Sequence, residues 1–304
     1  MGNWLSRSWA VRSFLADEST KIAAQIDQAS RPLRGTTAVI TGASSGIGKQ
    51  IAIQFAAAGC ERLLIHFNRN RAAAESTAQQ VRELGADPTV DGCDFSNAKQ
   101  SEAFIERALR RWPVLNTWVH CAGADVLTGT AAYQSFDQKL RHLIEVDLIG
   151  SILAGRAAGD RLRQQSKSAP DRLPPSMIFI AWDQASEGME GDAAQMFAPI
   201  KAGVDAFAKS LAQELAPWVR VNVIAPGWIK TAWGESTRGY WNHRAVDQSL
   251  MKRWGEPSDI AAAAVFLSTP SNRFVTAQTL VINGGWNRRY DVDETPPSAA
   301  STGQ

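Results

Sequence analysis

After a short apolar segment, Thr36–Ile40, the chain runs Thr41-Gly42-Ala43-Ser44-Ser45-Gly46-Ile47-Gly48 and passes straight into a helical pattern over Gly46–Ala58. Few features constrain a fold so strongly. A glycine at 42 permits a tight turn, one at 46 lets the backbone approach a ligand, and one at 48 lets the helix pack closely on the strand. The first N–H groups of such a helix are free and sit at the positive end of its dipole. The turn can therefore receive an anionic group such as a pyrophosphate, with Ser44, Ser45 and Ile47 completing the cradle. A glycine run alone is weak evidence; its place between a strand and a helix, at the start of a β-α-β unit, gives it weight.

From residue 36 onward, strand-like and helix-like segments alternate. Thr36–Ile40, Arg62–Phe67, Pro88–Cys93, Leu115–His120, Met177–Ala181, Val219–Ile224 and Thr279–Ile282 are short, apolar and bounded by Gly, Pro or Asp. Such runs read as strands buried on both faces. Helical patterns lie between them, among them Gly46–Ala58, Arg71–Leu84, Phe136–Arg163 and Asp192–Leu215. Repeated β-α-β units with right-handed crossovers give a parallel, doubly wound sheet. The expected fold is α/β, a single Rossmann-type domain over residues 36–288 with a seven-stranded parallel sheet. Residues 1–35 read as a helical extension, because Trp4, Val11, Leu15, Ile22 and Ile26 share one face. Its start, Met1-Gly2-Asn3-Trp4-Leu5-Ser6, matches a myristoylation pattern, with a docked or frayed terminal helix as the plainer reading. Gln164–Pro175 reads as a surface loop and residues 289–304 as a disordered tail.

Composition narrows the function classes. The 304 residues carry 32 Lys plus Arg against 30 Asp plus Glu, a net charge of +2. That near-balance argues against a nucleic-acid binder led by phosphate contacts. Hydrophobic residues at 44% and charged residues at 20% describe a soluble globular protein. No run reaches the ~18 apolar residues of a spanning helix, so no stable membrane insertion is expected. Cys60, Cys93 and Cys121 read as reduced, buried thiols, and no apolar run of signal-peptide type is present; both features suit the cytoplasm. His66, His120, His142 and His243 lie in no metal-ligand spacing, so no metal is expected.

The glycine run has the spacing TGxxxGxG, and from it onward the chain resembles the short-chain dehydrogenase/reductase family, in particular its 3-oxoacyl-acyl-carrier-protein reductase-like members. The likeness continues through Asp94, Cys121-Ala122-Gly123, Lys201, Pro226-Gly227-Trp228-Ile229-Lys230-Thr231, Arg253-Trp254-Gly255-Glu256-Pro257 and Asn283-Gly284-Gly285, in order over residues 36–286. It implies a nicotinamide dinucleotide and hydride transfer between the carbonyl and alcohol forms of a small molecule. By the same resemblance Asp94 contacts the adenine amino group, Ala122 and Gly123 line the adenosine ribose, and Ile229 and Thr231 bind the nicotinamide carboxamide. The Pro226-Gly227 turn lets backbone groups face the ligand crevice. Residues 231–255 would form a substrate lid. The long helices at 136–163 and 192–215 would pair across subunits into a homodimer or homotetramer, with Ile152, Phe207 and Leu211 as the apolar contacts, although on a monomer these three could equally be core. In such folds an acid about 20 residues past the glycines bonds the ribose 2′-OH of NAD(H). Here the segment is Phe67-Asn68-Arg69-Asn70-Arg71, with no acid. Arg69, beside Asn68, suits a 2′-phosphate, so NADP(H) is favoured and NAD(H) is the alternative.

The catalytic pattern is where the chain departs. The family uses a Tyr as proton donor, a Lys four residues later, a Ser that orients the carbonyl and an Asn that holds a relay water. Tyr and Lys share one helix face at i and i+4. Lys201 stands at the Lys position, but Phe197 stands at the Tyr position. The Ser position falls among Trp182, Asp183 and Gln184, with Ser186 the nearest serine, and the Asn position is Asp147. Asp for Asn is mild, whereas Phe for Tyr removes a positioned acid that typically contributes about 10²–10⁴-fold. Candidate donors are Asp183, Asp147, Lys201 and the lid residue Tyr240. An acid at 183 beside the apolar Trp182 would have a raised pKa. Trp182, Trp228, Trp233 and Trp241 suggest an aromatic substrate pocket, though core packing explains each nearly as well. Two functions stay open: an NAD(P)(H)-dependent oxidoreductase with an atypical proton donor, and a dinucleotide-binding protein without dehydrogenase activity, acting as sensor, scaffold or partner subunit.

Overall fold

A computed structural model describes residues 31–237 and 239–288. The expected extension and its myristoylation pattern at residues 1–30, and the tail beyond residue 288, lie outside the described residues. Seven strands form one all-parallel sheet: β1 (Thr37–Ile40), β2 (Arg62–Phe67), β3 (Asp87–Gly92), β4 (Thr117–His120), β5 (Ser176–Ile180), β6 (Arg220–Pro226) and β7 (Thr279–Ile282). Their order is β3-β2-β1-β4-β5-β6-β7, and Val39 on β1 sits between Leu64 of β2 and Trp118 of β4. The order of strand addition reverses between β1 and β4, the point at which doubly wound sheets open a ligand crevice.

Helices α1 (Gly46–Ala57), α2 (Arg71–Glu83), α3 (Ala98–Arg110), α4 (Phe136–Leu143), α5 (Gly150–Ser168), α6 (Asp192–Leu215), α7 (Ala232–Ser236), α8 (Tyr240–Gln248) and α9 (Pro257–Ser268) complete the domain. One core layer, with Phe55, Val81 and Ile260, joins α1, α2 and α9 to one sheet face. The other, with Phe104, Leu162, Leu211 and the fully buried Trp118, joins α3, α5 and α6 to the opposite face.

Three expectations change. Residues 32–35 form a turn rather than the end of a helix, and it seats Leu33 in the core with its N–H donated to Ala58 O at 2.9 Å. The helix expected over Phe136–Arg163 is interrupted by a wide turn at Ile144–Ile149, where the Gly150 N–H reaches back to Glu145 O. Beyond that turn, α5 runs on to Ser168 and takes the first residues expected in the 164–175 loop. Gln165 explains the extension: its side chain accepts from Leu115 N–H at 2.9 Å and donates to Leu115 O at 3.0 Å, pinning the last turns of α5 to the chain entering β4.

Candidate active site

The C-terminal ends of β1, β4, β5 and β6 face a cleft of about 460 Å³ lined by the Gly42–Gly48 turn, Asn68, Ala122, Gly123, Asp147, Lys201 and Thr231. The turn is sterically obligate. Gly42 has φ +66°, and a Cβ there would meet Cys121 O and the Ala122 backbone at 2.8 Å. A Cβ at Gly48 would lie 2.3 Å from Gly42 O. At Gly46 a Cβ would project towards the Thr231 side chain, 3.5 Å away across the cleft. Ser45, the N-cap of α1, makes no side-chain cap, which leaves the first-turn N–H groups to an external anion. Thr41 Oγ1 accepts from the Cys121 and Ala122 N–H groups at 3.0 and 2.9 Å, locking the β1 and β4 loops together. The residues present fit a dinucleotide pyrophosphate.

His66, considered above only as a metal ligand, is part of this cradle. Its Nδ1 accepts from the Gly42 N–H at 3.0 Å, so Nε2 carries the proton and points at Cys93 O, 3.1 Å away. Burial pushes its pKa down to about 4, which keeps the ring neutral and the acceptor in place.

A second cavity, also about 460 Å³, shares Ile47, Phe197, Lys201, Thr231 and Trp233 with the first. It lies between the start of α6 and the segment carrying α7 and α8, with Trp182, Met189, Trp228 and Trp241 on its walls. Where the two cavities meet, Lys201 Nζ sits 2.9 Å from Asp147 Oδ2, with side chains 15% and 2% exposed. The wide turn at Ile144–Ile149 presents Asp147 there; such bulges recur at functional sites. Asp147 Oδ1 also accepts from the Ala124 N–H at 2.7 Å. A Cβ on Gly123 would come within 2.9 Å of Asp147 Oδ2, so the carboxylate and this glycine need each other. Phe197, one turn before Lys201, packs against the small cluster of Val126, Leu143, Met196 and Ile200. Pro199 lies between them inside α6 and removes one helical hydrogen bond at the site.

The family model described as enoyl-(acyl carrier protein) reductase matches residues 42–287. The chain belongs to the short-chain dehydrogenase/reductase family. An uncharacterized oxidoreductase of Methylorubrum extorquens is 29% identical over 258 residues, covering 83% of this chain and 98% of its own. A 3-oxoacyl-[acyl-carrier-protein] reductase of Staphylococcus aureus is 26% identical over 250 residues, covering 82% and 97%. Among solved structures, a 7α-hydroxysteroid dehydrogenase complexed with NADH and 7-oxo glycochenodeoxycholic acid matches with a TM-score of 0.73. It is 25% identical, and the match covers 86% of this chain and 99% of that one. As a member of this family the protein is an NAD(P)-dependent oxidoreductase acting on carbonyl and hydroxyl groups.

The remaining site candidates of this dehydrogenase/reductase spread more widely. Pro226, Gly227 and Ile229 line the second cavity. Asp94 turns onto its own loop, accepting from Ser96 N–H and Oγ–H at 2.9 and 2.7 Å. Burial opposes ionisation there, but these bonds and the charge of Arg69 outweigh it and hold the carboxyl low. That coupling places Arg69 close to Asp94. Tyr240 is 63% exposed. Its hydroxyl donates to Glu190 Oε1 at 3.3 Å, and Arg244 grips the same carboxylate with both Nη atoms, Nη2 lying 3.0 Å from Oε2. The Arg244 bonds pull Glu190 down to about 2. Tyr240 thus fastens the start of α8 to the loop before α6.

Asp183 is buried but faces Asn283, whose Nδ2–H donates to Oδ2 at 3.1 Å; its Oδ1 has no protein partner among the described residues. Burial pushes its pKa up to about 6 against the opposing Asn283 bond. A carboxyl raised above its unfolded value holds its proton more tightly when folded, so the stabilisation it offers is full below about pH 4 and lost as pH rises through about 6. Asp183→Asn is therefore expected to stabilise the protein above pH 6 by about 2 kcal/mol, with no gain at pH 4. Thermal melts of both proteins at pH 5 and pH 8 check this, and a gap that fails to widen with pH rejects it.

Proposed function

We propose that this oxidoreductase uses NADP(H) in preference to NAD(H) and that Lys201, held by Asp147, replaces the family tyrosine as the group facing the reacting oxygen of a small carbonyl or alcohol. One observation carries the reading: among the described residues, Lys201 is the ionisable side chain common to the cofactor cleft and the apolar cavity. The backbone of Gly42–Gly48 would hold the phosphates, and Ile229 and Thr231 the carboxamide. The bound dinucleotide would supply or accept the hydride. The Lys201 ammonium would stabilise negative charge developing on the carbonyl oxygen and return its proton to it. Asp147 keeps that ammonium charged and aimed. Asp183 and Tyr240 fit the donor role less well, because neither lines the cofactor cleft or the apolar cavity, and the Tyr240 hydroxyl is turned to Glu190.

NADPH oxidation against a panel of carbonyls, beside a cofactor-binding titration, tests the reading. Turnover that falls at least about 100-fold in Lys201→Met supports it. Cofactor binding without turnover of any carbonyl would favour a sensor, scaffold or partner subunit. NADPH should bind more tightly than NADH, and Arg69→Ala should remove at least about tenfold of that preference, the worth of one charge-assisted phosphate contact. Equal wild-type affinities would refute the NADP(H) assignment.

The same reading takes the protein as a homodimer or homotetramer. Ile149 and Leu153, beside Ile152, are 38% and 48% exposed, apolar surface of the kind a subunit covers. Light scattering at micromolar concentration should give the mass of a dimer or larger; a monomer mass refutes it. No helix of the described residues is long and apolar enough to cross a membrane. The three cysteines are free, and burial pushes each thiol up to about 12, which suits a reducing cytoplasm.

A further inference from the structure

The cavity beside Lys201 is built of indoles. Trp228 and Trp233 stack with ring centroids 6.1 Å apart and an interplanar angle of 23°. Trp241 leans on both, at 6.0 and 6.3 Å, and Trp254 supports both from behind, at 5.9 and 6.2 Å. Two indole N–H groups are anchored away from the cavity: Trp228 Nε1 donates to Gln248 Oε1 at 3.1 Å, and Trp254 Nε1 to Asn242 Oδ1 at 3.0 Å. These bonds fix the ring planes. Arg244 lies 5.5 Å over the Trp241 ring while it grips Glu190, so the platform is also tied to the opposite side of the cavity mouth. Across from it stand Trp182, Met189 and Phe197, and Lys201 is the one titratable side chain on the walls among the described residues. A rigid aromatic platform rewards a flat ring system, since offset stacking adds about 0.5–1.5 kcal/mol per pair beyond area burial.

The missing hydroxyl restricts the chemistry in the same direction. Hydride addition to a saturated ketone makes a localised alkoxide, about as basic as hydroxide, whose parent acid water has a pKa of about 15.7. Such an anion needs a proton moving in as it forms, and Phe197 cannot give one. Hydride delivered to one oxygen of a quinone makes instead, at the other oxygen, a delocalised, phenolate-like anion with a conjugate acid near that of tyrosine, about 10. Lysine side chains in general are acids of comparable strength, so an ammonium can both stabilise that anion and hand it a proton.

We propose that the natural acceptor is a planar conjugated dicarbonyl of the quinone class, stacked on the Trp228–Trp233–Trp241 platform with one oxygen at Lys201 Nζ. This assignment rests on the oxidoreductase reading above. In the balanced step the C–H bond of the reduced nicotinamide would break, its hydride would form an O–H bond at one quinone oxygen, and the electron pair would pass through the ring to the other oxygen, at Lys201 Nζ, leaving the hydroquinone monoanion. The N–H bond of Lys201 then breaks, its proton goes to the oxyanion, and the amine is reprotonated from solvent. Reduced dinucleotide, one proton and quinone become oxidised dinucleotide and hydroquinone.

The test compares 1,4-naphthoquinone with 2-decalone, a saturated ketone on a skeleton of the same size, using the full chain and NADPH. The expected result is a kcat/KM at least about 100-fold higher for the quinone, as the loss of a general acid would impose on the ketone. Binding is read separately, without cofactor, by quenching of tryptophan fluorescence. Trp241 lines the apolar cavity and not the cofactor cleft, so Trp241→Leu should weaken quinone binding about tenfold, Trp241→Phe should largely retain it, and NADPH affinity should hold in both. Decalone turnover equal to or above quinone turnover overturns the acceptor class and leaves the oxidoreductase reading standing. Quinone that binds with both substrates inert overturns both. A quinone dissociation constant unmoved by Trp241→Leu overturns the platform.

Discussion

Phe197→Tyr is expected to raise NADPH-dependent reduction of saturated ketones by at least about tenfold, and by up to the about 10²–10⁴-fold that a positioned general acid contributes. The substitution adds one oxygen to a ring that already lines both cavities. Phe197 and Lys201 are one turn apart on α6 and share a face, so the new hydroxyl would lie beside an ammonium that favours phenolate over phenol. Steric cost should be small, because Phe197 lines both cavities and is only partly buried. The gain should be larger for ketones than for quinones, since only the localised alkoxide needs an acid in the transition state. Steady-state rates on 2-decalone and 1,4-naphthoquinone measure both gains. No change on either, with cofactor still bound, would mean that position 197 does not see the reacting carbonyl. An ordinary wild-type rate on simple ketones, about 10 s⁻¹, would show that the lost hydroxyl does not limit the enzyme.

The fold was legible because each strand is a short apolar run set off by glycine, proline or aspartate. All seven strands appear within about two residues of the expected bounds, the usual scatter of element ends. The dinucleotide cradle was legible for a similar reason: Gly42, Gly46 and Gly48 are placed by contacts that exclude any Cβ or by a left-handed φ, and such needs are written one residue at a time. The catalytic surroundings were less legible because they depend on pairs. Nothing local to Asp147 announces that a wide turn swings it onto Lys201, 54 positions away in the chain. Asp183 read as a candidate proton donor beside the apolar Trp182, yet Asn283, from the end of β7, bonds one oxygen of its carboxylate. Tyr240 sat in the expected lid, but Glu190 and Arg244, which share no motif, decide where its hydroxyl points. His66 had no signal beyond its place near the end of β2, and only the fold brings its Nδ1 to Gly42.

Asp147→Ala should destabilise the protein by about 3–5 kcal/mol, the usual consequence of removing one partner of a buried ion pair. Two losses combine. The Lys201 ammonium, 15% exposed, loses the carboxylate 2.9 Å away, and the Ala124 N–H loses its acceptor at 2.7 Å. For a domain of this size each kcal/mol moves Tm by about 2–4 °C, so a fall of about 10 °C is expected. Asp147→Asn should fall less, because an amide oxygen still accepts from Ala124 and offers Lys201 a neutral partner. Lys201→Met strands the carboxylate instead. The double variant Lys201→Met/Asp147→Leu removes both charges, and buried pairs replaced by apolar side chains are often neutral or better. It should regain most of the lost Tm yet stay inactive towards every acceptor. That separation of stability from turnover is the decisive reading: if the double variant is stable and still reduces carbonyls, the pair is structural and the proton comes from elsewhere. If Asp147→Ala melts within about 2 °C of the wild type, Lys201 is better solvated than its exposure implies and the pair is worth no more than a surface ion pair, about 0–1 kcal/mol.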